Sequence, residues 1–199
     1  MRVMRGHSLV GVSFFAGESG PEIFWSPECN PLVLSAEATP MAAGQADAFD
    51  IRQFEQLSVV LSCDGCEHIL FSDGLRHLQL AVTLGTVLDG PVCLRYALSG
   101  LRGIEPKALT LRRFCHLCRF GRFPRSLYPP ERRAPRWTML LRAWDGVQAG
   151  ASQREIAAVL FGETAVRRDW AAGFLRTRVQ RLIRGAEKLI GGGYRQLLQ

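Results

Sequence analysis

Long apolar runs are missing from this 199-residue sequence. No stretch approaches the roughly 20 apolar residues a helix needs to cross a bilayer, so no membrane partner is expected. The opening, MRVMRGHSLVGVSFFAGES, has two arginines and then a short apolar run. Gly11 and Ser13 interrupt that run, and Phe14 and Phe15 stand where a leader's cleavage site wants small residues. It is therefore read as part of the fold, and the chain as cytoplasmic with its six cysteines reduced. Catalytic signatures are missing too. There is no GxGxxG, phosphate loop, HExxH or GxSxG, and the four histidines, His7, His68, His77 and His116, have no nucleophilic or acidic companion. No enzyme and no cofactor are expected.

Lysine is almost absent. Two lysines stand against 23 arginines, and the charge is unevenly placed. Residues 1–74 carry 3 Lys+Arg against 10 Asp+Glu, whereas residues 75–199 carry 22 against 8. The second part has a strong positive field whose natural partners are polyanions. Arginine forks onto phosphate oxygens and guanine edges in two-point contacts, which favours nucleic acid.

From Val10 to Leu34 short apolar runs alternate with Gly and Pro, a strand-and-turn pattern. Residues 39–50 are small and polar and read as a surface linker closing a β-rich lead-in of residues 1–50. Leu57–Leu61, Ile69–Phe71, His77–Thr83 and Val92–Leu98 read as strands, with turns at Cys63–Cys66 and Asp73–Gly74. They predict a small, mostly antiparallel sheet within 51–103.

At Ile104 the period changes to helical, through Ala108, Leu111, Phe114 or Cys115, and Cys118, and a helix is predicted to about Phe120, closed by Gly121. RFPRSLYPPERRAPRW then reads as a proline-stiffened connector. Its aromatics, set among Arg132, Arg133 and Arg136, have the alternative role of stacking on bases. A helix is predicted from about Thr138 to Ala149 with Leu140, Leu141 and Trp144 inward.

The organising stretch is SQREIAAVLFG, 152–162. Ser152 and Glu155 have the spacing of a capping box, Ile156 and Leu160 share a face, Ala157 permits close crossing, and Gly162 ends the helix. After about ten residues comes FLRTRVQRLIRGAEKLI, 174–190. Its stripe of Leu175, Val179, Leu182, Ala186 and Leu189 faces a core, and Arg176, Arg178, Arg181, Arg184 and Lys188 lie elsewhere on the surface. A capped short helix before an arginine-rich amphipathic one has the composition of a helix-turn-helix. A plain capped helix and a solvated basic face are the alternatives. Arg176 and Arg178, near the helix start, are the candidates for base readout. Arg184, Lys188, Arg132 and Arg133 are candidate phosphate anchors, with Arg167, Arg168, Arg181 and Arg136 completing the DNA-binding set. The final GGGYRQLLQ is expected to stop the long helix at Gly191 and fold Tyr194, Leu197 and Leu198 back.

Cys63-x-x-Cys66 and Cys115-x-x-Cys118 have zinc-ligand spacing. The second pair falls inside a helical pattern, however, and 48 residues separate the pairs. Buried free thiols are the preferred reading and no metal is assigned.

The run from about Arg76 to Leu198, above all RFPRSLYPPERRAPRW, ASQREIAAVLFG, FLRTRVQRLI and GGYRQLL, resembles a proteobacterial domain-of-unknown-function family. That family is understood as a helix-turn-helix variant in activators and anti-activators of conjugative-element transfer. It is also described as a transcription-factor DNA-binding domain linked to type VI secretion. IFWSPECNPLVLSAEA resembles the β-rich lead-in that precedes it, and the CxxC pairs lie outside its pattern. The resemblance implies an α+β chain: a small antiparallel β-rich N-terminal region, then a helical helix-turn-helix-like domain over 104–199. The implied function is duplex DNA binding in transcription regulation of mobile-element transfer or secretion genes. The partners expected are duplex DNA and, beside it, a related regulator or a second copy of the chain as a homodimer; the rival is an anti-activator module of the same fold that binds a related regulator without DNA affinity.

Overall fold

The computed structural model describes residues 2–5, 12–17, 20–101 and 103–197. The chain is α+β and forms two compact units that part between Pro129 and Pro130.

The first unit is built on a six-stranded sheet. In chain order its strands are β1 (Arg2–Arg5), β4 (Val33–Pro40), β5 (Ser58–Cys63), β6 (Cys66–Ser72), β7 (His77–Leu84) and β8 (Val92–Tyr96), and β2 (Val12–Gly17) and β3 (Gly20–Trp25) form a separate antiparallel ribbon. The sheet order is β1-β5-β6-β7-β4-β8. Asp64 and Gly65 both take positive φ, 51° and 74°, the two-residue turn that matches strand twist and aligns Cys63 with Cys66. The meander β5-β6-β7 follows local sequence. The insertion of β4 between β7 (parallel) and β8 (antiparallel) does not. The sheet is thus mixed, with β1 also parallel to β5. The lead-in (1–50) and the sheet region (51–103) share one unit, because β4 completes the sheet.

One face of the sheet packs on α1 (Ile104–Phe120). Phe114 and Leu117 of α1 join Leu34, Val60, Ile69, Phe71, Leu80 and Val82. Phe49, Phe54, Phe71 and Phe114 form an aromatic cluster with ring centroids 5.4–6.4 Å apart. On the other face Phe24 of β3 covers Leu61, Cys63 and Leu70. Gln79 is buried there, and its amide accepts from the Trp25 N–H (3.0 Å) and donates to the Trp25 carbonyl (2.7 Å), acting as a side-chain extension of the ladder.

Several expectations change on packing. The predicted linker is exposed over 42–47 but ends at buried Phe49, whose N–H and carbonyl exchange 2.8 Å hydrogen bonds with Val92. Helix α1 has the predicted ends, with Gly121 left-handed at φ 65°, but its buried residues are Thr110, Phe114 and Leu117 rather than the stripe through Cys115 and Cys118. The large ring of Phe114 sets the face, and Thr110 donates to the Leu32 carbonyl at 2.8 Å. This helix packs within the sheet unit, so the helical domain expected over 104–199 is divided by its contacts.

The second unit holds α2 (Ala134–Gln148), α3 (Gln153–Phe161), α4 (Glu163–Asp169) and α5 (Phe174–Ile190). Helix α2 starts four residues before Thr138, since Pro135 occupies the first turn, where a missing N–H is harmless. Ala143 is its inward residue beside Leu140, while Leu141 is half exposed. The connection after Gly162 is itself helical. Gly162, at φ 87°, donates to Ala158 and accepts from Val166, so one residue both ends α3 and starts α4. The core unites Ala143, Ile156, Ala157, Val166, Leu175 and Val179. Gly191 caps α5 as predicted, and residues 193–197 form a short 3-10 turn with Tyr194 half-buried and Leu197 exposed. The predicted docking of Leu198 and the Gly11 interruption lie outside the described residues.

Candidate nucleic-acid interface

Ser152 builds the entry to the candidate interface. Its hydroxyl accepts from the Glu155 N–H (3.3 Å) and Glu155 accepts from the Ser152 N–H (2.7 Å), the reciprocal cap read in the sequence. That exchange holds the Glu155 carboxyl below its usual pKa range. With α3 started at this point, Ile156 and Ala157 turn into the core, and Phe161 reaches the last turn half-buried.

Phe161 receives Arg178. The guanidinium carbon lies 4.4 Å from the ring centroid, a cation–π contact that orients this arginine without using its hydrogen-bond donors. Arg176, Arg181, Arg184 and Lys188 are exposed along the same helix, with no ion pair among the described residues. Buried Leu175, Val179 and Ala186 fix the rotation of α5 that leaves them outside. The start of α5 has no acidic residue in its first turn and no side-chain cap, so the positive end of the helix dipole adds to Arg176 and Arg178. Gln180 of α5 donates to Gln153 of α3 (3.3 Å) and ties the two helices at a second point.

The other predicted residues divide. Arg167 and Arg168 stand exposed in the last turn of α4. Arg168 is engaged in a two-point pair with Asp169 at 2.9 and 3.0 Å, which lowers the Asp169 pKa and raises that of Arg168. Arg132, Arg133 and Arg136 are exposed at the start of α2. Two of the three connector aromatics, Phe123 and Tyr128, are not free to stack on bases. Phe123 is buried in the sheet unit, and the Tyr128 hydroxyl donates to the His77 carbonyl at 2.9 Å while its ring lies 3.9 Å from the Arg113 guanidinium.

Two surface features escaped the sequence reading. Phe174, the first residue of α5, is 68% exposed beside the arginines, and its signal was an apolar residue lying off the buried stripe. Arg154 is exposed in the first turn of α3.

Among the described residues no helix is long and apolar enough to cross a membrane, and no group of three His, Cys, Asp or Glu is placed to hold a metal. None of the curated proteins compared matches the chain. Residues 101–199 match the family model described as "T6SS, Transcription factor, DNA binding domain". This span holds α1 and every candidate arginine, and on that match the C-terminal half of the chain belongs to this family of transcription-factor DNA-binding domains.

Proposed function

We propose that the second unit binds duplex DNA sequence-specifically as a helix-turn-helix variant in which α3 supports α5, and that the chain regulates transcription without being an enzyme. The observation that carries the reading is α5 itself: Arg176, Arg178, Arg181, Arg184 and Lys188 are exposed, with no ion pair among the described residues, on a helix whose opposite side is buried. Arg178, steadied by Phe161, and Arg176 serve base readout, because the start of a recognition helix enters the major groove first. Arg184, Lys188, Arg132, Arg133 and Arg136 meet phosphate. The family description supports secretion genes as targets; mobile-element transfer genes are the second candidates. A related regulator or a second copy of the chain is the protein partner that would set half-site spacing.

The test is a binding series on the full chain. With about five phosphate contacts, log K falls against log salt with a slope near −4.5. Arg178→Ala costs about 1–3 kcal/mol on the selected site and relaxes one base position, whereas Arg184→Ala weakens all duplexes alike and makes the slope shallower by about one unit. Both variants must keep the wild-type melting temperature, since Arg178 also packs on Phe161. No shift of any duplex at low salt would support the interaction-module rival instead.

A further inference from the structure

The helix α1 carries a second basic surface, on the sheet unit. Residues 1–100 hold five Lys+Arg against eleven Asp+Glu, but residues 101–129 hold seven against one. With Phe114 and Leu117 buried against the sheet, Arg112, Cys115, His116, Arg119 and Phe120 fall on the outer side of α1 at helical spacing. The chain after Gly121 then folds back along this side. It is pinned by the Arg113 guanidinium, which donates to the Leu127 carbonyl at 3.0 and 2.7 Å, by the His116 Nδ1 contact to the Arg122 carbonyl at 3.0 Å, and by buried Phe123 and Pro124. Between α1 and this returning segment lies a surface groove of about 490 Å³ that is open to solvent.

Its walls combine two chemistries. Leu111, Phe120, Pro124 and Leu127 are apolar, and Phe120 is 55% exposed with its ring 4.5 Å from His116. Arg112 and Arg119 are exposed, and neither makes a hydrogen bond or ion pair among the described residues. Among the described residues no carboxylate lines the space. Two guanidinium groups with no partner among the described residues, beside an apolar wall, suit an anion that also carries an apolar body. Phosphates of a duplex would use the arginines but leave the apolar wall unfilled. We propose that the groove between α1 and residues 124–127 binds a small amphipathic organic anion, a carboxylate, sulfonate or phosphate on an acyl or aromatic body.

The test uses the full chain and the fluorescent probe 8-anilinonaphthalene-1-sulfonate, with decanoate as competitor. Fluorescence rises to saturation at one probe per chain, and decanoate reverses it. Arg112→Gln with Arg119→Gln weakens probe binding at least tenfold, and Phe120→Ala weakens it severalfold. Both leave the melting temperature unchanged, since these side chains are exposed, and both leave duplex affinity unchanged, since the proposed DNA contacts lie in the second unit. Independently of any variant, decanoate slows alkylation of the exposed Cys115 thiol, which lines the same space. Probe binding indifferent to both substitutions, or alkylation of Cys115 unaffected by decanoate, overturns the proposal. Loss of duplex affinity in the arginine double variant with probe binding retained would assign the surface to DNA phosphate instead.

Discussion

His68 sits on β6 with 6% of its surface exposed and its Nδ1 buried, with no hydrogen-bond partner among the described residues. Burial disfavours the imidazolium and lowers its pKa below the ordinary 6.5, against the opposing pull of Glu28 and Asp64. The sign of the consequence follows. As pH falls below 6.5 the unfolded chain takes up a proton here that the folded chain refuses, so stability intact at neutral pH is lost as pH drops through the lowered folded value. The wild-type melting temperature should therefore fall more between pH 7 and 5 than that of His68→Gln, whose side chain does not titrate; equal slopes would refute the account. Glu67, its neighbour, is also buried, but it is satisfied by the Thr86 hydroxyl (2.5 Å) and the Val87 N–H (2.9 Å). Glu67→Ala leaves that buried N–H unanswered, and a denaturant titration should show a loss of about 1.5–3 kcal/mol, the range for bonds to a charged group.

At the scale of elements, local chemistry and close approach can be separated by paired substitutions. Ser152→Ala removes the cap of α3 and should lower stability by about 1 kcal/mol in the same titration. A silent substitution would mean that tertiary packing alone holds the helix start. Gly74 and Gly85 have nearly the same left-handed φ, 86° and 81°, so alanine meets the same backbone strain at both. Around Gly74 there is open space, whereas at Gly85 an added Cβ would overlap the backbone oxygen of Ala38. Gly74→Ala should cost about 1 kcal/mol and Gly85→Ala well beyond that, since β4 and the loop must separate to admit it. Similar losses at the two sites would show that the loop gives way freely.

For the whole molecule the notable fact is that two boundaries disagree. The family segment begins at residue 101, yet the compact second unit begins at Pro130. Charge follows the family: residues 101–129 hold seven Lys+Arg against one Asp+Glu and residues 130–199 thirteen against six. Packing follows hydrophobic area, because Phe114 and Leu117 are buried among the sheet's aromatics. Arg132 and Arg133 lie exposed just after the boundary. Brief trypsin treatment should therefore cut first at that pair, leaving a C-terminal fragment from Ala134 that still binds duplex DNA, with a shallower salt dependence because Arg132 and Arg133 are gone. A first cut elsewhere would place the weakest junction away from the unit boundary, and a fragment without any affinity would show that α1 or the Arg132–Arg133 pair is needed for DNA binding.

The sequence by itself determined what depends on neighbours a few residues apart. The ends of α1 and α5, the reciprocal Ser152–Glu155 cap and the Asp64–Gly65 hairpin were legible because capping, helical period and left-handed glycine act within one turn of chain. The exposed arginines of α5 were legible for the same reason, as the complement of an apolar stripe. Only the tertiary structure decided what depends on distant partners. It set β4 between β7 and β8, buried Gln79 by giving it the backbone of Trp25, turned α1 by the weight of Phe114, and joined Phe161 to Arg178 across two helices. No periodicity encodes these choices, because each is set by burial and hydrogen-bond satisfaction summed over segments that meet only in the folded chain.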